Sequence, residues 1–187
     1  MKKSILLLLI TIMIGGLGAT SAEASFSNIN TNLFLGQKAL DKDQYSNDLQ
    51  TQFEFGIEGD AQYGELPVNW MLGYYRSSKE AKISSVDRKS ITSEIRAGAR
   101  KYYNLREDKV ELLAGAGIAY TTAKVETTTN TDGSALGFYG ELGGKYNFTQ
   151  QLGAGLKVDY SSAEPEVGGD DAKAGGIHYG AFLSYSI

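Results

Sequence analysis

The stretch Leu49-Gln-Thr-Gln-Phe-Glu-Phe-Gly-Ile-Glu-Gly59 alternates without interruption. Leu49, Thr51, Phe53, Phe55 and Ile57 form one set, and Gln50, Gln52, Glu54, Gly56 and Glu58 form the other. A strand sends successive side chains to opposite faces, whereas a helix would scatter both sets around its circumference. The segment therefore reads as a strand with one greasy face and one polar face.

The same period recurs on both sides of it. Val68, Trp70, Leu72 and Tyr74 alternate with Asn69, Gly73 and Tyr75, and Ile91, Ile95, Ala97, Ala99 and Tyr103 alternate with Thr92, Glu94, Arg96, Gly98 and Arg100. Further segments begin at Val110, Leu136, Leu152 and Ile177, and a first strand spans Ser27 to Leu40. The count is eight, an even number that returns both chain ends to one side, as in bacterial single-chain barrels. Polar connections near 41–48, 77–89, 126–133 and 162–175 alternate with shorter turns near 60–67, 104–109 and 148–151. Long loops on one rim and short turns on the other suit an outer-membrane barrel with the long loops outside the cell. Asp132-Gly133 reads as an additional hairpin signal.

Composition agrees. Glycine supplies 23 positions, tyrosine 12 and proline two, which suits strands and crowded interiors. Cysteine is absent, which excludes disulfides, a Cys-based zinc site, a thiol nucleophile and a lipoprotein acylation site. The N-terminal stretch reads as a secretory signal: Lys2 and Lys3, an apolar run from Ile5 to Ile14, then Ala22-Glu23-Ala24 before Ser25. That run is short of the roughly 20 residues of a membrane helix. Residues 1–24 are thus expected to be cleaved, leaving a barrel domain at 25–187. Removal of Lys2, Lys3 and Glu23 leaves 16 basic and 21 acidic residues, a balance that gives no reason to expect nucleic acid.

Alternation alone does not say which face is inside. A soluble barrel, such as a periplasmic carrier of lipophiles, would turn its apolar face inward. Here the apolar faces are bounded by Trp70, Tyr74, Tyr103, Tyr120, Tyr146, Phe148, Tyr160, Tyr179 and Tyr185, amphipathic rings of the kind that membrane interfaces favour. The expected fold is an all-β, eight-stranded antiparallel up-and-down transmembrane barrel. Phe53, Phe55, Trp70, Leu156 and Leu183 decide the matter, since their pointing inward would overturn it.

With its signal-like start, eight alternating segments and amphipathic last strand, the chain resembles the small outer-membrane barrels of the OmpX and OmpA type. Asn32-Leu-Phe-Leu-Gly-Gln-Lys-Ala-Leu40 and Gly175-Gly-Ile-His-Tyr-Gly-Ala-Phe-Leu-Ser-Tyr185 carry that likeness. The last strand of that family usually ends in Phe or Trp, whereas this chain has Tyr185-Ser186-Ile187. The resemblance implies residence in the outer membrane, contact with its lipids and lipopolysaccharide, delivery by the barrel-assembly machinery, and a non-enzymatic role in envelope integrity or surface interaction. It leaves the partner of the external loops open.

On the inward faces the alternation places Glu54, Glu58, Glu94, Glu111, Glu141 and Asp159 against Arg96, Arg100, Lys145 and Lys157. Unpaired burial of such groups costs several kcal/mol each, so a hydrogen-bonded ladder across the lumen is expected. A plug is the plain reading of that ladder. The alternative is a narrow pore of low conductance in which Arg and Glu exchange partners. No cofactor or metal site is expected. Glu164, Glu166, Asp170 and Asp171 could hold a calcium ion or meet lipopolysaccharide through bridging cations, but a solvated loop accounts for them.

An enzymatic alternative is a lipid-modifying barrel. His178 is the single histidine and falls on the inward face of the last strand. Lipid A deacylase barrels resemble this chain in size and carry a His-x-Ser pair, but here Gly180 stands two residues after His178. No catalytic residue is assigned.

Overall fold

The computed structural model describes residues 26–40, 50–83, 86–105, 109–126, 131–167, 170–171 and 174–187. The expected signal segment, the first long connection at 41–48 and Leu49 lie outside them. Among the described residues ten strands follow in order: β1 (Phe26–Leu40), β2 (Thr51–Tyr63), β3 (Asn69–Ile83), β4 (Val86–Leu105), β5 (Val110–Glu126), β6 (Thr131–Asn147), β7 (Leu152–Ser162), β8 (Glu166–Val167), β9 (Asp170–Asp171) and β10 (Gly176–Ser186). Eight of them close into one barrel in the order β1-β10-β7-β6-β5-β4-β3-β2, and β8 pairs with β9 in a separate hairpin. Every barrel pairing is antiparallel. Closure leaves no sheet edge unpaired, which is what a sheet needs in order to cross hydrocarbon.

Burial along the strands settles which face is inside. Along β2, Thr51, Phe53 and Phe55 are exposed while Gln52, Glu54, Gly56, Glu58 and Asp60 are buried or nearly so. The five deciding residues all lie on the outer surface: Phe53 is 62% exposed, Phe55 43%, Trp70 55%, Leu156 70% and Leu183 63%. An apolar outer wall around a polar interior is stable in lipid and costly in water, where each Å² of apolar surface carries about 25 cal/mol. The soluble-carrier alternative is therefore excluded.

The outer wall has a readable upper limit. Tyr74, Ile95, Tyr120 and Leu136 are register partners across β3 to β6, and the next outward row is Arg76, Ser93, Thr122 and Ser134. Above that row the strands continue. β3 and β4 pair as far as Ile83 and Val86, so most of the expected loop 77–89 is a projecting hairpin. Alternation fades there because an outward position above the lipid meets water and has no need of an apolar side chain. Asp132 and Gly133 likewise pair with Lys124 and Ala123 inside β6 rather than forming a turn. At the opposite rim β2 runs on to Tyr63, so the expected turn 60–67 shortens to the residues around Gly64, whose φ of 59° glycine adopts without strain. The segment 162–175 contains the small β8–β9 hairpin.

Inside, Phe34, Tyr75, Leu113 and Phe182 form an aromatic and aliphatic cluster, with Tyr102 packed against it. Room for Tyr75 exists because residue 56 lacks a side chain: a Cβ there would sit 2.6 Å from Tyr75 Cδ1.

Candidate functional site: the charged lumen

Two arginines, four residues apart on β4, organise the interior. Both project inward because β4 alternates from Glu94 to Arg100, and both are almost fully buried. Arg100 donates from Nε to Glu141 Oε1 at 2.7 Å and from Nη2 to Glu141 Oε2 at 2.8 Å, to Glu58 Oε2 at 2.9 Å, and from Nη1 to Asp60 Oδ2 at 3.0 Å. Lys157 pairs with Glu58, donates to the Tyr75 hydroxyl, and has Glu141 Oε2 at 3.5 Å. Asp60 also accepts from Tyr102 at 2.8 Å, Asn30 at 2.9 Å and Asn69 at 2.6 Å. This lower cluster joins β1, β2, β3, β4, β6 and β7.

The upper cluster is built on Arg96. Its Nε and Nη2 donate to Glu94 Oε2 at 2.9 and 2.8 Å, and its Nη1 to Asp159 Oδ1 at 2.6 Å. Lys38 pairs with the other oxygen of Glu94. The ring of Tyr75 links the clusters, with Arg96 Cζ 4.2 Å and Lys157 Nζ 4.7 Å from its centroid. Such cation–π contacts strengthen away from water.

His178 sits within the upper cluster and its proton can be placed from its neighbours. Arg96 Nη2 lies 3.0 Å from Nε2, and a guanidinium can only donate. Nε2 is therefore the lone-pair nitrogen and Nδ1 carries the proton, which it donates to Glu54 Oε1 at 2.9 Å and Oε2 at 2.8 Å. Ser161 Oγ stands 2.9 Å from the same Nε2. Ser161, His178 and Glu54 thus have the spacing of a hydrolase triad, assembled from three strands where no His-x-Ser pair exists. The chemistry differs from that of a triad, because the one lone pair of Nε2 is already held by Arg96. Ser161 donates instead to Glu94 Oε1 at 3.0 Å. All three side chains are buried.

The residues expected to face the lumen fall as follows. Glu54, Glu58, Glu94, Arg96, Arg100, Glu141, Lys157 and Asp159 belong to these two clusters and are buried. Lys145 and Glu111 stand apart, paired with each other at 2.8 Å near the short-turn rim. The sequence reading missed Lys38, Asp60 and Tyr102. Lys38 follows the run Leu33-Phe34-Leu35, where inward Phe34 blurs the alternation of β1, and Asp60 falls two positions beyond Glu58, past the end of the expected strand. Period-two counting carried one step further would have found Asp60. Asn32 Oδ1, Thr121 Oγ1, Asp159 Oδ2 and Ser184 Oγ are buried without a hydrogen-bond partner.

The aromatic residues of the outer wall fall into two groups. Tyr74, Tyr120, Tyr160 and Tyr179 lie toward the long-hairpin rim, and Trp70, Tyr103, Tyr146, Phe148 and Tyr185 toward the short-turn rim. Tyr146 and Phe148 pack edge to face with centroids 5.5 Å apart.

A closed barrel with a greasy outside and a charged inside defines a protein of the bacterial outer membrane. The family comparison gives the same class: residues 7–186 match the outer membrane protein beta-barrel domain, and the chain belongs to that family. No curated protein matches the chain. Among solved structures it is similar to Neisserial surface protein A (NspA), at TM-score 0.65 and 14% identity over 89% of this chain and 100% of that one. It is also similar to Ail, the attachment invasion locus protein of Yersinia pestis, solved in complex with the heparin analogue sucrose octasulfate (TM-score 0.58, 16% identity, 85% of this chain and 99% of that one). A third is the N-terminal β-barrel domain of Pseudomonas aeruginosa OprF, at TM-score 0.53 and 12% identity over 87% of this chain and 100% of that one. At these identities the likeness is one of fold.

Proposed function

We propose that this outer-membrane barrel is non-enzymatic, that its lumen is plugged by the two arginine clusters, and that it acts through the long-hairpin rim in envelope integrity or surface interaction. The observation that carries the plug is the saturation of Arg96 and Arg100. Each guanidinium is bound by at least two carboxylates within 3.0 Å, and both are buried. An eight-stranded barrel is just wide enough for side chains to fill, and opening a path would require several charge-assisted bonds to break together.

The absence of catalysis rests on Ser161, which has no free base and no open approach. The surface role rests on the β3–β4 and β5–β6 hairpins, which carry polar residues beyond the apolar wall, and on the long loops of such barrels facing the exterior. The names of NspA and Ail, a surface protein and an attachment protein, agree with it. In the same reading residues 1–24 are removed during export, residues 25–187 form the barrel, the assembly machinery inserts it, and lipopolysaccharide surrounds its outer half.

Planar-bilayer recording of the purified protein tests the plug, with no discrete conductance steps as the expected result. Reproducible steps that change size on Arg96→Met would replace the plug with a pore. Altered lipid A mass spectra on overexpression would replace the non-enzymatic reading.

A further inference from the structure

The short-turn rim opens into a vestibule of about 710 Å³, within the roughly 300–1,000 Å³ typical of small-molecule sites. Its wall is rich in carboxamides, including Asn28, Asn30, Gln62, Asn69, Asn147 and Gln151. Asn69 and Tyr102 of this wall bond Asp60 of the lower arginine cluster, which on the proposed plug forms the floor of the pocket.

The amides are oriented. Asn69 Nδ2 donates to Asp60 Oδ1 at 2.6 Å and to the Asn28 carbonyl at 3.2 Å, and Asn30 Nδ2 donates to the same two acceptors at 2.9 and 3.2 Å. A carboxamide has two N–H bonds, so both residues spend all of theirs within the protein. Asn28 Nδ2 donates to Gln62 Oε1 at 2.6 Å, Gln62 Nε2 to the Leu66 carbonyl at 2.7 Å, and Asn147 Nδ2 to Glu111 Oε1 at 3.0 Å. Carboxylates and carbonyls only accept, which fixes the direction of the Asn30, Asn69, Gln62 and Asn147 amides. The wall therefore offers both N–H and carbonyl oxygen to whatever enters, since Asn28 and Gln62 each spend one of their two N–H bonds within the protein. The charged side chains that line it, Lys145 and Glu111, pair with each other at 2.8 Å.

A pocket lined by oriented carboxamides suits a ligand dense in groups that both donate and accept. Sugar hydroxyls each donate and accept, several times per ring, whereas a peptide main chain offers one donor and one acceptor per residue. We propose that the vestibule binds the end of a neutral glycan chain on the periplasmic side of the membrane, a site separate from the long-hairpin rim. The barrel would then hold a saccharide below while presenting its hairpins above.

The test is titration of the full mature barrel in micelles with the neutral tetramer of N-acetylglucosamine, followed through side-chain amide resonances by NMR. Saturable shifts at Asn28, Asn69 and Asn147 are expected. Asn28→Gly suits the residue's φ of 50° and deletes its amide without straining the backbone; it should weaken binding at least fivefold while the barrel's heat-modifiable gel shift stays unchanged. Gln151→Ala, on an exposed turn, provides a second variant with the same expected direction. Absence of shifts up to the solubility of the tetramer would overturn the proposal. So would unchanged affinity in both variants, or stronger binding at this rim of a charged probe such as spermine or sucrose octasulfate.

Discussion

Arg100 and Glu141 meet in a bidentate pair, Nε to Oε1 at 2.7 Å and Nη2 to Oε2 at 2.8 Å, across the full width of β5 that separates their strands. Two parallel charge-assisted bonds fix both distance and orientation. Removing one partner of a buried pair typically costs about 3–5 kcal/mol, because the other charge is stranded. Arg100→Met should cost at least that, since it strands Glu58 and Asp60 along with Glu141. Urea unfolding of the barrel in lipid vesicles, monitored by gel mobility, measures the loss.

Gly56 and Tyr75 occupy one slot between them. Gly56→Ala places a methyl group 2.6 Å from the ring and should destabilise by about 1–3 kcal/mol through overpacking. Gly140→Ala serves as the control, because its Cβ would face outward with its nearest neighbour at 3.9 Å, and it is expected to be neutral. The same unfolding assay compares them.

Leu156 lies in the middle of the apolar wall, in register with Ala181 and Gly144. Leu156→Arg should cost about 2–4 kcal/mol, the cost of a basic residue near the bilayer midplane. Thr122→Arg, in the polar row above the wall, should cost less than about 1 kcal/mol. Equal costs at the two positions would move the membrane boundary assigned to the Arg76–Ser134 row.

Trp70 is the single tryptophan and faces outward. In vesicles its fluorescence should be quenched strongly by brominated lipid and weakly by aqueous acrylamide. The reverse ranking would place water around the apolar face.

Ser161 has triad spacing without a free base. It should not react with a fluorophosphonate probe, and Ser161→Ala should lower stability by about 1.5–3 kcal/mol through loss of its bond to the Glu94 carboxylate. Covalent labelling at Ser161 would make it a nucleophile.

Local sequence carried most of the barrel. Phe53, Phe55, Leu156 and Leu183 could be assigned to one face from their neighbours alone, because the period of a strand is a property of the backbone. The limits of the strands were less legible. Ser77 to Lys89 has no apolar alternation, yet Ser77–Ile83 and Val86–Lys89 pair in the upper part of β3 and β4, since cross-strand hydrogen bonds continue where the lipid stops. The inward position of Glu94, Arg96 and Arg100 could be read in the same way, but their partners could not.

The sequence by itself determined that this chain makes amphipathic strands, eight of them in the barrel, with charges on the face opposite the aromatics. Period two is local, and two or three residues on either side suffice to read it. Only the tertiary structure decided that Arg100 meets Glu141 and Glu58, that Lys38 reaches Glu94, and that Ser161, His178 and Glu54 converge. Those contacts join residues 17 to 124 positions apart, and they depend on inter-strand register and barrel closure, which place side chains opposite one another irrespective of their distance along the chain. The same closure turned Arg96 onto His178 and gathered the amides of β1, β2, β3 and β6 into one vestibule.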